Sequence, residues 1–148
     1  MSGERTSASS IKVDDYEIRA DLFYSEEHEW VRLEEDGSAR MGITDYAQKS
    51  LHEVVYVELP EEGATVEQMK PIGTVESIKA VSEVYSPLSG KIIKTNERLR
   101  DSPELVNNSP YDEGWIAIIK PNALNEELKN LMTPEQYAEF IRKLVKEE

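Results

Sequence analysis

The chain contains no cysteine, which excludes disulfides, thiolate metal sites and cysteine nucleophiles. Histidine is almost as scarce. His28 and His52 are the only two, and nothing beside either has ligand spacing, so a structural zinc is not expected. Basic residues are outnumbered, 17 Lys and Arg against 30 Asp and Glu, for a net charge of -13. That balance argues against binding nucleic acid through its phosphates and favours partners with basic surfaces. Long apolar runs are missing as well, and none approaches membrane-spanning length. The first residues, Met1 to Glu17, hold no apolar signal core, and their acidic members argue against a mitochondrial transit peptide. The expectation is a soluble, cytoplasmic protein.

The usual marks of catalysis are also absent. Ser86 and Ser89 have no histidine partner in sequence, and no glycine-rich phosphate loop follows a strand to open a helix. The carboxylate runs Glu26-Glu27, Glu34-Glu35-Asp36 and Glu61-Glu62 fall in turns, where solvated charge accounts for them. A chain without a nucleophile–base pair, metal ligands or a cofactor cradle is not expected to be catalytic by itself.

What is present begins with a repeat. Val57 and Val84, Pro60 and Pro87, Gly63 and Gly90, and Val66 and Ile93 are each separated by 27 residues. A β-rich segment repeated in this way implies two similar strand pairs related by an approximate two-fold. Between the copies lies Lys79, in the turn joining the arms Thr74–Ile78 and Val81–Tyr85. At 148 residues the chain is one domain by size.

Taken in order, residues 1–10 read as a disordered tail, and 11–22 as a strand or an extra flap. His28–Leu33 and Ala39–Ile43 form a hairpin across Glu35-Asp36-Gly37-Ser38, the glycine accepting the positive φ of the turn. Thr44 caps a short helix over Asp45–Leu51. Glu53–Leu59 alternates as a strand, with Val55, Val57 and Leu59 on one face and Val54, Tyr56 and Glu58 on the other. Val66 starts a short strand, Pro71-Ile72-Gly73 is a break, Lys91–Lys94 is a strand, and 96–108 is a polar loop containing Pro103. Trp115–Ile119 is the most apolar strand, stopped by Pro121. Leu124, Leu128 and Leu131 share a helical stripe. Thr133-Pro134-Glu135-Gln136 is a capping box opening a helix whose apolar face is Tyr137, Phe140, Ile141, Leu144 and Val145. The fold class is mainly β, a small sandwich or flattened barrel with a short helix and C-terminal helices.

A lysine on a narrow β tip suits a carrier whose chemistry is attached afterwards. Acylating its amine with an eight-carbon acid gives an arm of about 10–15 Å, which successive enzymes can draw into their clefts.

The blocks around the lysine resemble a known family. Glu76-Ser77-Ile78-Lys79-Ala80-Val81-Ser82 is similar to the lipoylation motif of the glycine cleavage system H proteins. Ser25-Glu26-Glu27-His28-Glu29-Trp30-Val31, Gly42-Ile43-Thr44-Asp45-Tyr46-Ala47-Gln48, Ser86-Pro87-Leu88-Ser89-Gly90 and the stretch from Asn107 to Trp115 resemble further blocks of that family, in its order. The resemblance covers residues 23–146. It implies the lipoyl/biotinyl carrier fold, a barrel-sandwich hybrid, over 23–148, with 1–22 a partly disordered N-terminal extension. It also implies lipoate in amide linkage to Lys79, with Glu76 part of the motif read by the lipoate ligase or lipoyl transferase. The implied partners are glycine decarboxylase, an aminomethyltransferase and dihydrolipoamide dehydrogenase, between which the arm carries an aminomethyl group. In such proteins the loaded arm folds into a surface cleft. By position Glu29 and Glu83 supply carboxylates there, Glu83 standing where Asp is more usual. Ser50 stands where many members carry a cleft histidine, with His52 two residues on. A biotin carrier would flank its lysine with methionines, which Ile78 and Ala80 are not. An H-like relay that hands lipoate to other enzymes stays open as the alternative function.

Overall fold

The computed structural model describes residues 9–147. The chain opens with a hairpin of β1 (Ser10–Val13) and β2 (Tyr16–Arg19), then runs through β3 (Phe23–Tyr24), β4 (Glu29–Leu33), β5 (Ala39–Ile43) and helix α1 (Asp45–Leu51). Next come β6 (Val54–Glu58), β7 (Thr65–Val66), β8 (Pro71–Ser77), β9 (Val81–Tyr85) and β10 (Gly90–Thr95). Two short helices, α2 (Arg98–Asp101) and α3 (Leu105–Asn108), precede β11 (Ala117–Pro121), α4 (Leu124–Leu128) and α5 (Pro134–Glu147). A six-stranded sheet ordered β3-β4-β5-β11-β10-β7 faces a three-stranded sheet ordered β6-β8-β9.

Between the sheets lies the main core. Met41, Ile92 and Ile119 come from the large sheet, and Val57, Val75 and Val84 from the small one. This is the flattened, mostly β sandwich expected from the sequence, and the local signals behind it are visible. Asp36 Oδ1 accepts from both the backbone N–H and the hydroxyl of Ser38 and so ties the β4–β5 turn. Thr44 Oγ1 accepts from Ala47 N–H at the start of α1. At α5, Thr133 Oγ1 accepts from Gln136 N–H while Gln136 Oε1 accepts from Thr133 N–H, a reciprocal capping box.

The 27-residue repeat maps β6 and β7 onto β9 and β10. The copies also pair with each other, with Gly63 N–H donating to Ile92 O and Ile92 N–H to Ala64 O. β7 and β10 run antiparallel, as a two-fold requires. The equivalence fails at one end, where Val66 is buried and Ile93 is exposed. A register shift between Ile92 and Lys94 turns Ile92 inward instead.

Several sequence expectations need correction. β6 does not alternate strictly: Val54 and Val57 are both buried while Val55 and Tyr56 face water. A register shift between Val54 and Tyr56 breaks the period of two. Pro71-Ile72-Gly73 is no break but the start of β8, which tolerates the proline because it opens the strand. Residues 96–108 are not a simple polar loop. α2 and α3 each insert one fully buried side chain, Leu99 and Val106, into the main core, and a polar majority hid both. Ser10 starts β1 rather than belonging to a tail, and the expectation for residues 1–8 lies outside the described residues.

A second core forms away from the sheet interface. Val13 and Ile18 of the hairpin, Tyr24 and Trp30, and Tyr137 and Ile141 of α5 pack together. Tyr24 stacks on Tyr137 with ring centroids 4.4 Å apart. Leu131, beyond the end of α4, joins Leu88, Val31 and Ala39 in a third cluster, against which Leu124 and Leu128 pack.

Candidate functional site

β8 and β9 pair antiparallel from Pro71↔Tyr85 to Glu76↔Val81, with a register shift between Pro71 and Gly73, which leaves Ser77-Ile78-Lys79-Ala80 as the turn. Ser77 N–H donates to Ala80 O at 2.8 Å. The Ser77 hydroxyl oxygen accepts from both Lys79 N–H and Ala80 N–H, at 3.2 and 3.1 Å. A buried serine thus satisfies the two amides that a tight turn would leave open. Ile78 N–H reaches across to Glu53 O, tying the turn to the residue before β6. The tip is held by backbone and by one side chain, and Lys79 itself is left exposed. Among the described residues its ammonium forms no ion pair or hydrogen bond.

Beside the tip is a cleft of about 480 Å³ between α1 and β9. Ile43, Val75 and Val84 line its floor, Tyr46, Ala47 and Leu51 the helix side. Lys79, Glu29, Ser50 and Glu83 all line this one cavity, together with Glu27. Glu76 does not. Its place opposite Tyr56 on β6 and Val81 on β9 puts it in an exposed row across the small sheet. Of the two histidines, His28 lines the cleft and His52 does not. His52 ends α1, its N–H donating to Gln48 O.

The three carboxylates of the cleft differ in character. Glu27 and Glu83 are exposed, and Glu83 accepts from the Tyr85 hydroxyl. Glu29 is only 1% exposed. Its Oε1 accepts from the Ser25 hydroxyl and its Oε2 from Tyr85 N–H at 3.0 Å. Burial nevertheless pushes its carboxyl up to about 8, against the lowering effect of both hydrogen bonds. Glu29 therefore pins β4 to β9 as well as lining the cleft, and is not the solvated strand residue its surroundings in sequence suggest.

His28 closes the inner end. Its Nδ1 lies 2.8 Å from the Tyr137 hydroxyl, and its ring lies against Tyr46 and Phe140. Burial lowers its pKa to about 4, so the imidazole is neutral at physiological pH. The α1 wall is braced from behind by the β1–β2 hairpin. Glu17 N–H donates to Asp45 Oδ2 at 2.9 Å, Lys49 Nζ donates to Asp15 O at 2.7 Å, and Tyr16 meets Tyr46 edge-on at 4.8 Å. Ser77, Ser25, Tyr85, His28 and the hairpin escaped sequence reasoning as parts of the site. Only Ser77, two residues from the lysine, carried a local signal, since serine in a turn bonds nearby amides. Among the described residues no group of acidic side chains and histidines is placed to hold a metal ion. Among them, too, no helix is long and apolar enough to cross a membrane.

Comparison with known proteins places these features in one group. The family described as Glycine cleavage H-protein matches residues 22–144. A protein of Pyrococcus abyssi named probable glycine cleavage system H protein is 54% identical over 134 residues, 90% of this chain and 99% of that one. A glycine cleavage system H protein of a Geobacillus species is 52% identical over 122 residues, covering 82% and 94%. The crystal structure of a glycine cleavage system H protein from Mycobacterium marinum matches with a TM-score of 0.75 at 36% identity, covering 82% of this chain and 96% of that one. The barrel-sandwich architecture is shared with that structure. With a family match across most of its length and relatives of this identity and coverage, the chain belongs to the glycine cleavage H-protein family.

Proposed function

We propose that Lys79 bears a lipoyl group in amide linkage. On this arm the protein, a carrier component of the glycine cleavage system, takes the aminomethyl group from glycine decarboxylase to the aminomethyltransferase. Dihydrolipoamide dehydrogenase and a lipoate ligase or lipoyl transferase complete its partners, and the chain has no catalytic role of its own. The observation that carries this reading is the exposed, unpaired Lys79 on a rigid turn above an apolar-floored cleft.

The residues present fit the group. The floor of Ile43, Val75 and Val84 suits an alkyl chain and excludes water, and Glu27 and Glu83 at the sides favour a cationic amine. When bound, the lipoyl disulfide supplies the redox and group-transfer chemistry. The chain's own contribution is to tether at Lys79 Nζ, to hold the turn through Ser77 and to offer the cleft. Glu29, protonated over much of the neutral range, can donate a hydrogen bond inside the cleft or, once ionised, pair with a cation.

Intact mass after incubation with lipoate ligase, lipoate and ATP tests the attachment. One lipoyl adduct on the parent and none on Lys79→Ala is expected, followed by glycine-dependent carbon dioxide release when glycine decarboxylase is added. An unmodified parent would refute the assignment. An adduct that supports no glycine decarboxylation but passes to another acceptor protein would make the chain a lipoate relay.

A further inference from the structure

The inner end of the cleft holds a chain of hydrogen bonds whose protons can be placed. Thr44 Oγ1 and the Tyr137 hydroxyl lie 2.8 Å apart, and the same hydroxyl lies 2.8 Å from His28 Nδ1. Thr44 and Tyr137 are both fully buried. The Thr44 oxygen already accepts from Ala47 N–H, and its own hydrogen reaches one acceptor among the described residues, Tyr137 Oη. The Tyr137 proton is then left to donate to His28 Nδ1. The reverse order would bury the Thr44 hydrogen with no acceptor, which folded proteins avoid. Burial keeps the imidazole neutral, so an Nδ1 that accepts puts the single ring proton on Nε2.

That N–H has no partner in the fold. Arg19 Nε is the one buried side-chain polar atom without a hydrogen bond among the described residues. His28 Nε2, equally without one, is therefore open to solvent, on a residue that lines the cleft. Its direction is fixed. Tyr46 and Phe140 lie against the ring, with centroids 4.7 and 5.7 Å away and planes tilted by 35° and 24°. The His28 backbone is left-handed, at φ 73, with its N–H donating to Ser25 O and its carbonyl accepting from Thr44 N–H.

The cleft thus offers polar groups of two kinds. Glu27 and Glu83 accept and favour a cation, whereas His28 donates without charge. An arm rooted at Lys79 carries acceptors in two places, the amide oxygen at its root and the sulfurs at its end. The root stays beside the exposed turn, and the sulfurs, about 10–15 Å further out, are what extends to the inner end.

We propose that His28 is a binding residue for the arm, its Nε2–H donating to a sulfur of the loaded arm while Glu27 and Glu83 hold the amine. The inference rests on the reading of Lys79 as the attachment site. A donor at one end and acceptors at the other seat the arm in one orientation and keep water from its cargo.

Proton–nitrogen correlation NMR of the histidine rings, recorded on the unmodified protein, tests the donor before any arm is present. One tautomer is expected for His28 at neutral pH, with the proton on Nε2 and Nδ1 bare; a proton on Nδ1 overturns the proposal. The contact itself is tested on protein lipoylated with ligase, lipoate and ATP and then reduced. Formaldehyde and ammonia load the arm: one thiol sulfur and one ammonia nitrogen each bond to the aldehyde carbon, and its oxygen leaves as water with the thiol proton and one from nitrogen. Nothing is oxidised or reduced. Intact mass then follows the lifetime of the adduct. His28→Asn keeps an oxygen where Nδ1 accepts but has nothing where Nε2 stands, while His28→Gln has an amide N–H there. Thermal unfolding near the parent's verifies that both are folded. The asparagine variant is expected to shorten the lifetime about 5- to 10-fold, and the glutamine variant to stay within about twofold of the parent. A parent-like lifetime in His28→Asn, or an equal loss in both variants, overturns the contact. A parent that never takes up lipoate overturns the attachment reading and the contact with it, and is told apart from failure at His28 because no adduct ever forms.

Discussion

Replacing Glu29 with glutamine should remove a loss of stability expected as the pH rises from about 4.5 to about 8. In the fold the Glu29 carboxyl titrates at about 8, against an ordinary value of 4.5. Between those values the native state holds a proton that the unfolded chain has released, so stability falls as pH rises through the window. At about 1.4 kcal/mol per pH unit the full shift sets a ceiling of about 5 kcal/mol. Relaxation around the charged form brings the measurable loss to about 2–4 kcal/mol. His28 acts with the opposite sign. Its value is lowered from 6.5 to about 4, so its contribution is present above 6.5 and is lost as pH falls towards 4. In the parent the two slopes oppose each other at acidic pH, and only that of Glu29 remains above 6.5. Glu29→Gln keeps the local bonds, because the amide carbonyl can accept from Tyr85 N–H and the amide nitrogen can donate to Ser25 Oγ. Calorimetric or denaturant unfolding from about pH 4.5 to about pH 9 is the assay, with a gain in Tm of about 5–15 °C expected for the variant at the alkaline end. Parent and variant curves that fall in parallel above neutrality would refute the reasoning.

Other perturbations have equally local causes. Ser77→Ala removes the acceptor for Lys79 and Ala80 N–H, and amide exchange at those two positions should quicken about 10-fold; unchanged exchange would show that the turn does not depend on it. Thr133→Ala opens the α5 capping box and should cost about 1 kcal/mol in urea denaturation, whereas a loss near zero would mean that tertiary packing alone holds the helix start. The repeat-related glycines should separate. A Cβ at Gly63 (φ +90) meets nothing within 4 Å, but one at Gly90 would fall 2.1 Å from Lys120 O. Gly63→Ala should therefore cost about 1 kcal/mol from its left-handed backbone alone, while Gly90→Ala should cost at least about 3 kcal/mol or fail to fold. Equal losses would contradict the packing.

Elements governed by their own residues were legible before the fold was seen. The Asp36-Gly37 turn, the Thr44 cap and the Thr133–Gln136 capping box each depend on atoms a few positions apart, and each forms where the sequence put it. The tip lysine and three of the residues that line its cleft could be named from the resemblance, and the fold then brings Lys79, Glu29, Ser50 and Glu83 to one cavity. What could not be read depends on distant chain. Glu29 owes its burial partly to Tyr85, 56 residues away, and no local feature distinguishes it from its exposed neighbour Glu27. Leu99 stands alone in polar company and Val106 has only Leu105 beside it, so no period marks them. The register shift in β6 is set by pairing with β8, which a strand pattern read by itself does not contain.

The brace behind α1 has a consequence in time. The Lys79 turn is a hairpin between adjacent strands and closes with a short loop. The cleft wall waits for partners far apart in the chain: Tyr46 rests on Tyr16 of the first hairpin and on His28, which in turn bonds Tyr137, 109 residues further on. Long loops close slowly and short ones quickly. A folding chain therefore displays its lysine before it has built a shelter beside it, and an arm attached at that stage would wait in water for the two ends of the protein to meet.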